Sequence, residues 1–354
     1  MTVIVDEFGK DELLRRLSNP FWFQSVGCVL GYDWHSSGVT TVLTAVLREA
    51  IDPKETGIAV CGGKGRRSNL SLSEIRQYGS LFRLSDQQIQ HLEYASKLAA
   101  KVDNAAIQAG YALYHHSFFM TADGHWSVVQ QGMNPSDNTA RRYHWLHEYV
   151  KGFVDQPHEA IVGEKVQQLA LDMTSQISEE CRRISLDLVK EGVERVRTDL
   201  LSLRPEKQRA LTEWMPEFKD RTKVLQTLSM PRKINWDAIK RAYEFQPHGY
   251  EELLSTEGIG PGAVRALALV SQIIYGAKPS WKDPVKYSFA LGGKDGVPFP
   301  VDRRSYDETT RFIQSLIDKA RLEGKEKYRV LERLKSMTPD YPRNAYAQSS
   351  AYAK

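Results

Sequence analysis

Two glycines flank Ile259 in the run Leu253-Leu254-Ser255-Thr256-Glu257-Gly258-Ile259-Gly260-Pro261-Gly262-Ala263-Val264-Arg265-Ala266-Leu267, and a proline follows them. That order makes one helix end and another begin within a few residues. Leu253 and Leu254 anchor the first helix. Gly258 and Gly260 let the backbone take positive φ and leave N–H groups bare. Ile259 plugs the gap between the helices. Pro261 suits the first turn of the second helix, where a missing N–H costs nothing. The predicted elements are a helix over 249–256, a bend over 258–262 and a helix over 262–275. Bare amides at a helix N-terminus suit an anionic oxygen. The alternative is a tight helix–turn–helix that only packs.

This run resembles the helix-hairpin-helix of DNA-repair proteins. The resemblance implies contact with a nucleic-acid backbone through Gly258, Gly260 and Gly262, with Arg265 adding charge or serving the structure. Such contact positions a strand without reading its sequence. Further on, Phe299-Pro300-Val301-Asp302 before a polar helix resembles the segment of helix-hairpin-helix DNA glycosylases that holds their catalytic aspartate. Asp302 would match that aspartate, or it caps the following helix.

Charge is distributed in the same sense. The chain carries 48 Lys+Arg against 44 Asp+Glu over 354 residues. Residues 1–150 hold 14 against 15, so the remainder holds 34 against 29, and the positive excess that would attract a polyanion lies late in the chain. Seven of nine histidines (His35, His91, His115, His116, His125, His144, His147) lie in the first 150 residues, where proton transfer or metal binding is therefore expected. Three widely spaced cysteines, Cys28, Cys61 and Cys181, argue against a disulfide framework and fit a reducing, cytoplasmic compartment. No apolar run approaches the roughly 18 residues of a membrane span, and the start has no basic region leading into a greasy stretch. No membrane partner is expected.

Periodicity predicts an α+β chain in two domains. Residues 6–18 read as an amphipathic helix, 26–32 as a buried strand or close turn, 39–51 as a helix and 57–61 as a second buried strand. Ser85 and Gln88 form a capping box for a helix over 85–108. A hairpin follows, with strands 111–120 and 125–131 joined by Thr121-Ala122-Asp123-Gly124. Residues 139–150 read as a helix. Beyond them no strand is expected: helices cover 158–190, 205–229, 235–245 and 305–336. The expected division is an α/β domain over 1–155 with a β-hairpin, an all-α helix-hairpin-helix domain over 156–338, and a mobile tail over 339–354.

Four segments of the first domain concentrate polar groups. In Asp33-Trp34-His35-Ser36-Ser37, an extended backbone would point Asp33 and His35 the same way, to share a metal or a proton; otherwise Ser36 or Ser37 caps the next helix. In Gly62-Gly63-Lys64-Gly65-Arg66-Arg67, glycine N–H groups would form an anion nest ringed by Lys64, Arg66 and Arg67. It is not a Walker A loop, because the spacing fails. In Lys101-Val102-Asp103-Asn104, Asp103 and Asn104 are poor helix residues that ask for a reason. In the hairpin, strand alternation sends His115 and His116 to opposite faces, so at most one enters a given pocket. Gln131 lies on the other strand. Arg141-Arg142-Tyr143-His144-Trp145 combines cations and rings suited to backbone contact and base stacking, or starts an amphipathic helix.

Taken in order, Gly31-Tyr32-Asp33-Trp34-His35-Ser36-Ser37-Gly38, Gly62-Gly63-Lys64-Gly65, Lys101-Val102-Asp103-Asn104, Val129-Gln130-Gln131-Gly132-Met133-Asn134 and Ala140-Arg141-Arg142-Tyr143-His144-Trp145 closely resemble the prokaryotic family known as domain of unknown function 763. The resemblance spans nearly the whole chain. It implies that members carry residues before the point where this chain begins.

The combined expectation is a DNA-binding protein of nucleic-acid processing or repair acting as a metal-dependent nuclease. Asp33, His35 and Asp103 are the candidate ligands for Mg²⁺ or Mn²⁺. Lys64, His116 and Gln131 complete the catalytic set, and Arg66, Arg67, Arg141, Arg142 and Arg265 hold phosphates. The alternatives are a glycosylase using Asp302 and a non-catalytic DNA-binding protein. Oligomeric state is left open.

Overall fold

The computed structural model describes residues 1–32, 38–203, 230–231, 233–287, 303–320 and 324–337. The expected helix over 205–229, the tail over 339–354, and Asp33, His35 and Asp302 lie outside the described residues.

The fold is α+β. Its centre is a five-stranded antiparallel sheet in the order β1-β3-β4-β5-β6. The strands are β1 (Ile58–Lys64), β3 (Ala112–Thr121), β4 (Trp126–Asn134), β5 (Thr139–Leu146) and β6 (Ala160–Gly163). β2 (Ile107–Gln108) pairs separately with β7 (Leu171–Asp172). The hairpin β3–β4 lies where the aromatic and β-branched alternation places it. The sheet buries both faces. Ala59, Cys61, Phe118, Met120, Val128, Tyr143 and Trp145 enter one apolar core, and Ile58, Val60, Phe119, Val129 and Leu146 enter the other.

The second core is built by α1 (Thr2–Phe8), α2 (Lys10–Ser18), α3 (Pro20–Val29) and α4 (Gly38–Ala50), closed by α13 (Arg303–Lys319) and α14 (Gly324–Met337). The short α5 (Pro53–Thr56) leads into β1. The first core is built by α6 (Ser71–Leu81), α7 (Asp86–Lys101), α8 (Glu179–Glu191), α9 (Val193–Ser202), α10 (Trp236–Phe245), α11 (Tyr250–Ser255) and α12 (Pro261–Ile273). It runs without a break from Ala59 to Val285, so packing does not stop at the expected boundary near residue 155.

Three expectations are corrected. Residues 26–29 end a helix, not a strand. Asn19 caps the amides of Phe21 and Trp22 at 3.0 Å, Pro20 opens α3, and every residue of α3 is buried. A helix covered all round shows no apolar stripe, so periodicity cannot separate it from a strand. Residues 139–146 are a strand, not a helix; β5 lies inside the sheet with seven of its eight residues buried, so the usual alternation is lost. Strands also occur beyond residue 155: β6 pairs with β5 and completes the sheet.

Candidate functional site

Pairing across the sheet builds two polar rows, one residue apart and on opposite faces. On the face toward α4, Lys64, His115, Gln131 and Arg142 are successive partners across β1, β3, β4 and β5. On the face toward α7, Gly63, His116, Gln130 and Tyr143 form the next row. The adjacent histidines thus serve different faces, as alternation requires.

The α4-side row is a buried polar layer with an exposed lysine at one end. His115 is 1% exposed; its Nε2 lies 3.0 Å from both Thr44 Oγ1 and Ser117 Oγ, and its Nδ1 has no partner. Burial, helped by His116 and Lys64, holds its pKa down at about 3. Arg142 donates from Nε to His144 Nε2 at 2.8 Å and from Nη1 to Gln24 Oε1 at 3.0 Å. Burial lowers the Arg142 pKa to about 9. Gln131 donates to Tyr114 Oη at 2.6 Å. Its neighbour Arg141 faces the other way and pairs with Asp283 at 2.6 Å, both side chains wholly buried. The expectation that Arg141 and Arg142 hold a polynucleotide is therefore corrected. Both guanidiniums are 0% exposed and serve acceptors inside the protein.

The α7-side row continues into a hydrogen-bonded chain. Ser96 Oγ of α7 lies 2.8 Å from His116 Nε2, and His116 Nδ1 lies 2.8 Å from Gln130 Oε1. Gln130 Nε2 donates to Asp103 Oδ2 at 2.6 Å. The indole N–H of Trp145 donates to the same oxygen at 3.0 Å, and His158 Nε2 lies 2.5 Å from Asp103 Oδ1. Asp103 sits in a π-helical turn over Val102–Ala106 that follows α7. That turn is the reason a poor helix former occurs there: it aims the carboxylate into the core. Burial pushes the Asp103 carboxyl up, while His158, Trp145 and Gln130 pull it back. Asp103, expected as a metal ligand, is 0% exposed, and both of its oxygens are engaged by neighbouring side chains. Among the described residues no three His, Cys, Asp or Glu side chains are gathered around a metal position.

The expected anion nest is filled from within. Gly62 N–H donates to Glu74 Oε2 at 2.7 Å, and Arg48 Nη2 donates to Glu74 Oε1 at 2.7 Å. Lys64, Arg66 and Arg67 are exposed around it, with Arg67 3.4 Å from Glu74.

The bend after α11 is where the glycine pattern puts it. Gly258 has φ +83°, but Gly260 is extended at φ −139°, so only the first glycine uses the left-handed region. No side chain caps the N-terminus of α12. A side chain on Gly262 would collide with the carbonyl oxygen of Lys233, so that glycine serves close packing. Lys101 donates to Ile259 O at 2.6 Å and Gln108 donates to Pro261 O at 2.9 Å, tying the bend to the end of α7 and to β2. Arg265 is half-buried, with its guanidinium 5.1 Å over the Trp281 ring.

These parts meet in one cleft of about 470 Å³. Ser96, Lys97, Lys101, His115, His116, Ile259 and Gly260 all contribute to its lining, so the expectation that at most one of the two histidines enters a given pocket is corrected: they serve opposite faces of the sheet but both border the end of this cleft. Lys97 is exposed, and among the described residues Lys97 and Lys101 are the charged side chains that line the cleft and no carboxylate does. Of the cleft, only His116 and Gly260 were candidates on sequence grounds. Ser96 and Lys97 were missed, because a serine and a lysine inside a regular helix carry no local signal.

The fold and cleft define an α+β protein in which a glycine bend from a helical layer lies beside a histidine-bearing inner strand of the sheet. A family model described as protein of unknown function (DUF763) matches residues 1–301, and the chain belongs to that family. No curated protein and no solved structure matches it. Among the described residues no helix is long and apolar enough to cross a membrane.

Proposed function

We propose that the protein binds a polynucleotide, DNA first, by seating its phosphate backbone in the cleft between α7 and the α11–α12 bend. One observation carries this reading: among the described residues the charged lining of the cleft is all positive, beside the N-terminus of α12, which no described side chain caps. Amides at a helix start and ammonium groups both suit a phosphate oxygen. Lys101 is held by carbonyls of the bend, and Lys97 is the exposed cation of the lining. The test is equilibrium binding of a fluorescent single-stranded oligonucleotide and of a duplex across a salt series. Binding at low salt that weakens linearly in log–log form supports the reading, and no binding of either at low salt refutes it.

Nuclease or repair activity with Mg²⁺ or Mn²⁺, through Asp33 and His35, is a further part of the proposal. It is checked by strand cleavage with each metal added to Asp33→Ala and His35→Ala variants.

A further inference from the structure

We propose that Ser96 is a nucleophile activated by His116, and that this pair performs phosphoryl transfer on the strand seated in the cleft; the substrate class rests on the binding reading above.

The argument is one of hydrogen positions. An indole N–H can only donate, so Asp103 Oδ2 is an acceptor for Trp145. The Gln130 group on that oxygen must also donate, which sets its amide nitrogen toward Asp103 and its carbonyl oxygen toward His116. A carbonyl oxygen only accepts, so His116 carries its proton on Nδ1. Burial keeps the ring neutral. Nε2 is then a bare lone pair, and Ser96 O–H donates to it at 2.8 Å. This is the relation of nucleophile, base and orienting group that activates a serine.

The serine itself behaves unlike others in the fold. Ser80, Ser185 and Ser271 turn their hydroxyls back to carbonyls four residues earlier, on Arg76, Cys181 and Leu267. Ser96 turns to the histidine instead. Both Ser96 and His116 line the floor of the cleft beside Lys97, where they are 1% and 5% exposed, so the phosphorus must come down to the floor to meet Oγ.

The step balances with water as the second reactant. Ser96 Oγ forms a bond to phosphorus as its proton passes to His116 Nε2. The bond from phosphorus to the leaving sugar oxygen breaks on the side opposite Oγ, that oxygen takes a proton from solvent water, and His116 Nε2 holds the serine proton. Water then attacks the serine-bound phosphorus opposite Oγ and gives its proton to solvent, and Ser96 leaves and recovers its proton from Nε2. A phosphodiester and water become a phosphomonoester and an alcohol. Gln130 and Asp103 are positioning residues that hold the tautomer.

The test is labelling with diisopropyl fluorophosphate, read by peptide mass spectrometry. One dialkylphosphoryl group on Ser96 is expected. Ser96→Ala should take up none there, and His116→Gln should slow labelling by about 100-fold, the usual share of a general base. Circular dichroism checks that each variant folds, and Gln130→Leu, which frees the ring tautomer, should slow labelling and shift its pH profile. No label on Ser96 in the folded wild type, or an undiminished rate in folded His116→Gln, overturns the proposal. A saturating oligonucleotide at low salt should protect Ser96. Labelling without protection contradicts the polynucleotide substrate while the activated serine stands, and oligonucleotide binding without labelling does the reverse.

Discussion

His115 and His116 are neighbours in sequence yet answer to opposite sides of the sheet: His115 Nε2 lies 3.0 Å from Thr44 Oγ1 of α4, and His116 Nε2 lies 2.8 Å from Ser96 Oγ of α7. Each ring fastens the central hairpin to one helical layer. The same alternation that separates them gives the protein two polar layers, and a histidine of each borders the cleft.

Stability should fall on mild acidification. Burial depresses the pKa of His115 to about 3, and those of His116 and His144 are lowered too. A base with a folded pKa below its unfolded value of about 6.5 binds fewer protons when folded. Its contribution is complete above the unfolded pKa and is lost as pH falls toward the folded one. For His115 alone the loss by pH 5 is on the order of 2 kcal/mol. Urea midpoints at pH 7 and pH 5 check this; equal midpoints contradict it.

Asp103 accepts from Gln130 and Trp145 and pairs with His158. Asp103→Ala strands those donors in the core and should cost about 3 kcal/mol or more. The expected readout is a lower urea midpoint, with a new solvent-sensitive signal from Trp145 fluorescence. A midpoint unchanged from wild type would show that the network contributes nothing.

The Arg141–Asp283 pair should behave as a buried ion pair. Asp283→Ala leaves a buried guanidinium and should destabilise by about 3–5 kcal/mol, whereas Arg141→Met with Asp283→Leu should recover much of that loss. A double-mutant cycle on urea melts measures the coupling; additive single effects would contradict it.

Gly62 and Gly65 both have positive φ, at +83° and +61°, but they differ in surroundings. A methyl on Gly62 would meet the carbonyl oxygen of His116, whereas one on Gly65 meets open space. Gly65→Ala should cost about 1 kcal/mol, the ordinary left-handed penalty. Gly62→Ala should cost clearly more and disturb β1–β3 pairing, seen as faster amide exchange in Val60 and Cys61.

Much of the fold was legible where local chemistry decides it. The Ser85–Gln88 capping box, the β3–β4 hairpin and the Gly258 bend each have short-range causes and lie where the residues place them. What escaped was set by tertiary cover. α3 and β5 are buried on all sides, so neither shows the period that would name it. The site was partly legible for the same reason. His116 and the bend glycines stand out by type, whereas Ser96 and His158 gain meaning only when the sheet brings Gln130 and Asp103 between them. Arg141 and Arg142 look like surface cations and are instead buried donors, a role that only register reveals.

The most direct test of the cleft is a comparison of lysines. Oligonucleotide affinity is measured by fluorescence anisotropy against salt for wild type, Lys97→Ala and Lys54→Ala, the last on the exposed surface of α5 outside the cleft. The account predicts that Lys97→Ala weakens binding and lowers the log–log salt slope by about 1, while Lys54→Ala leaves both unchanged. Equal affinity and slope for wild type and Lys97→Ala would contradict it.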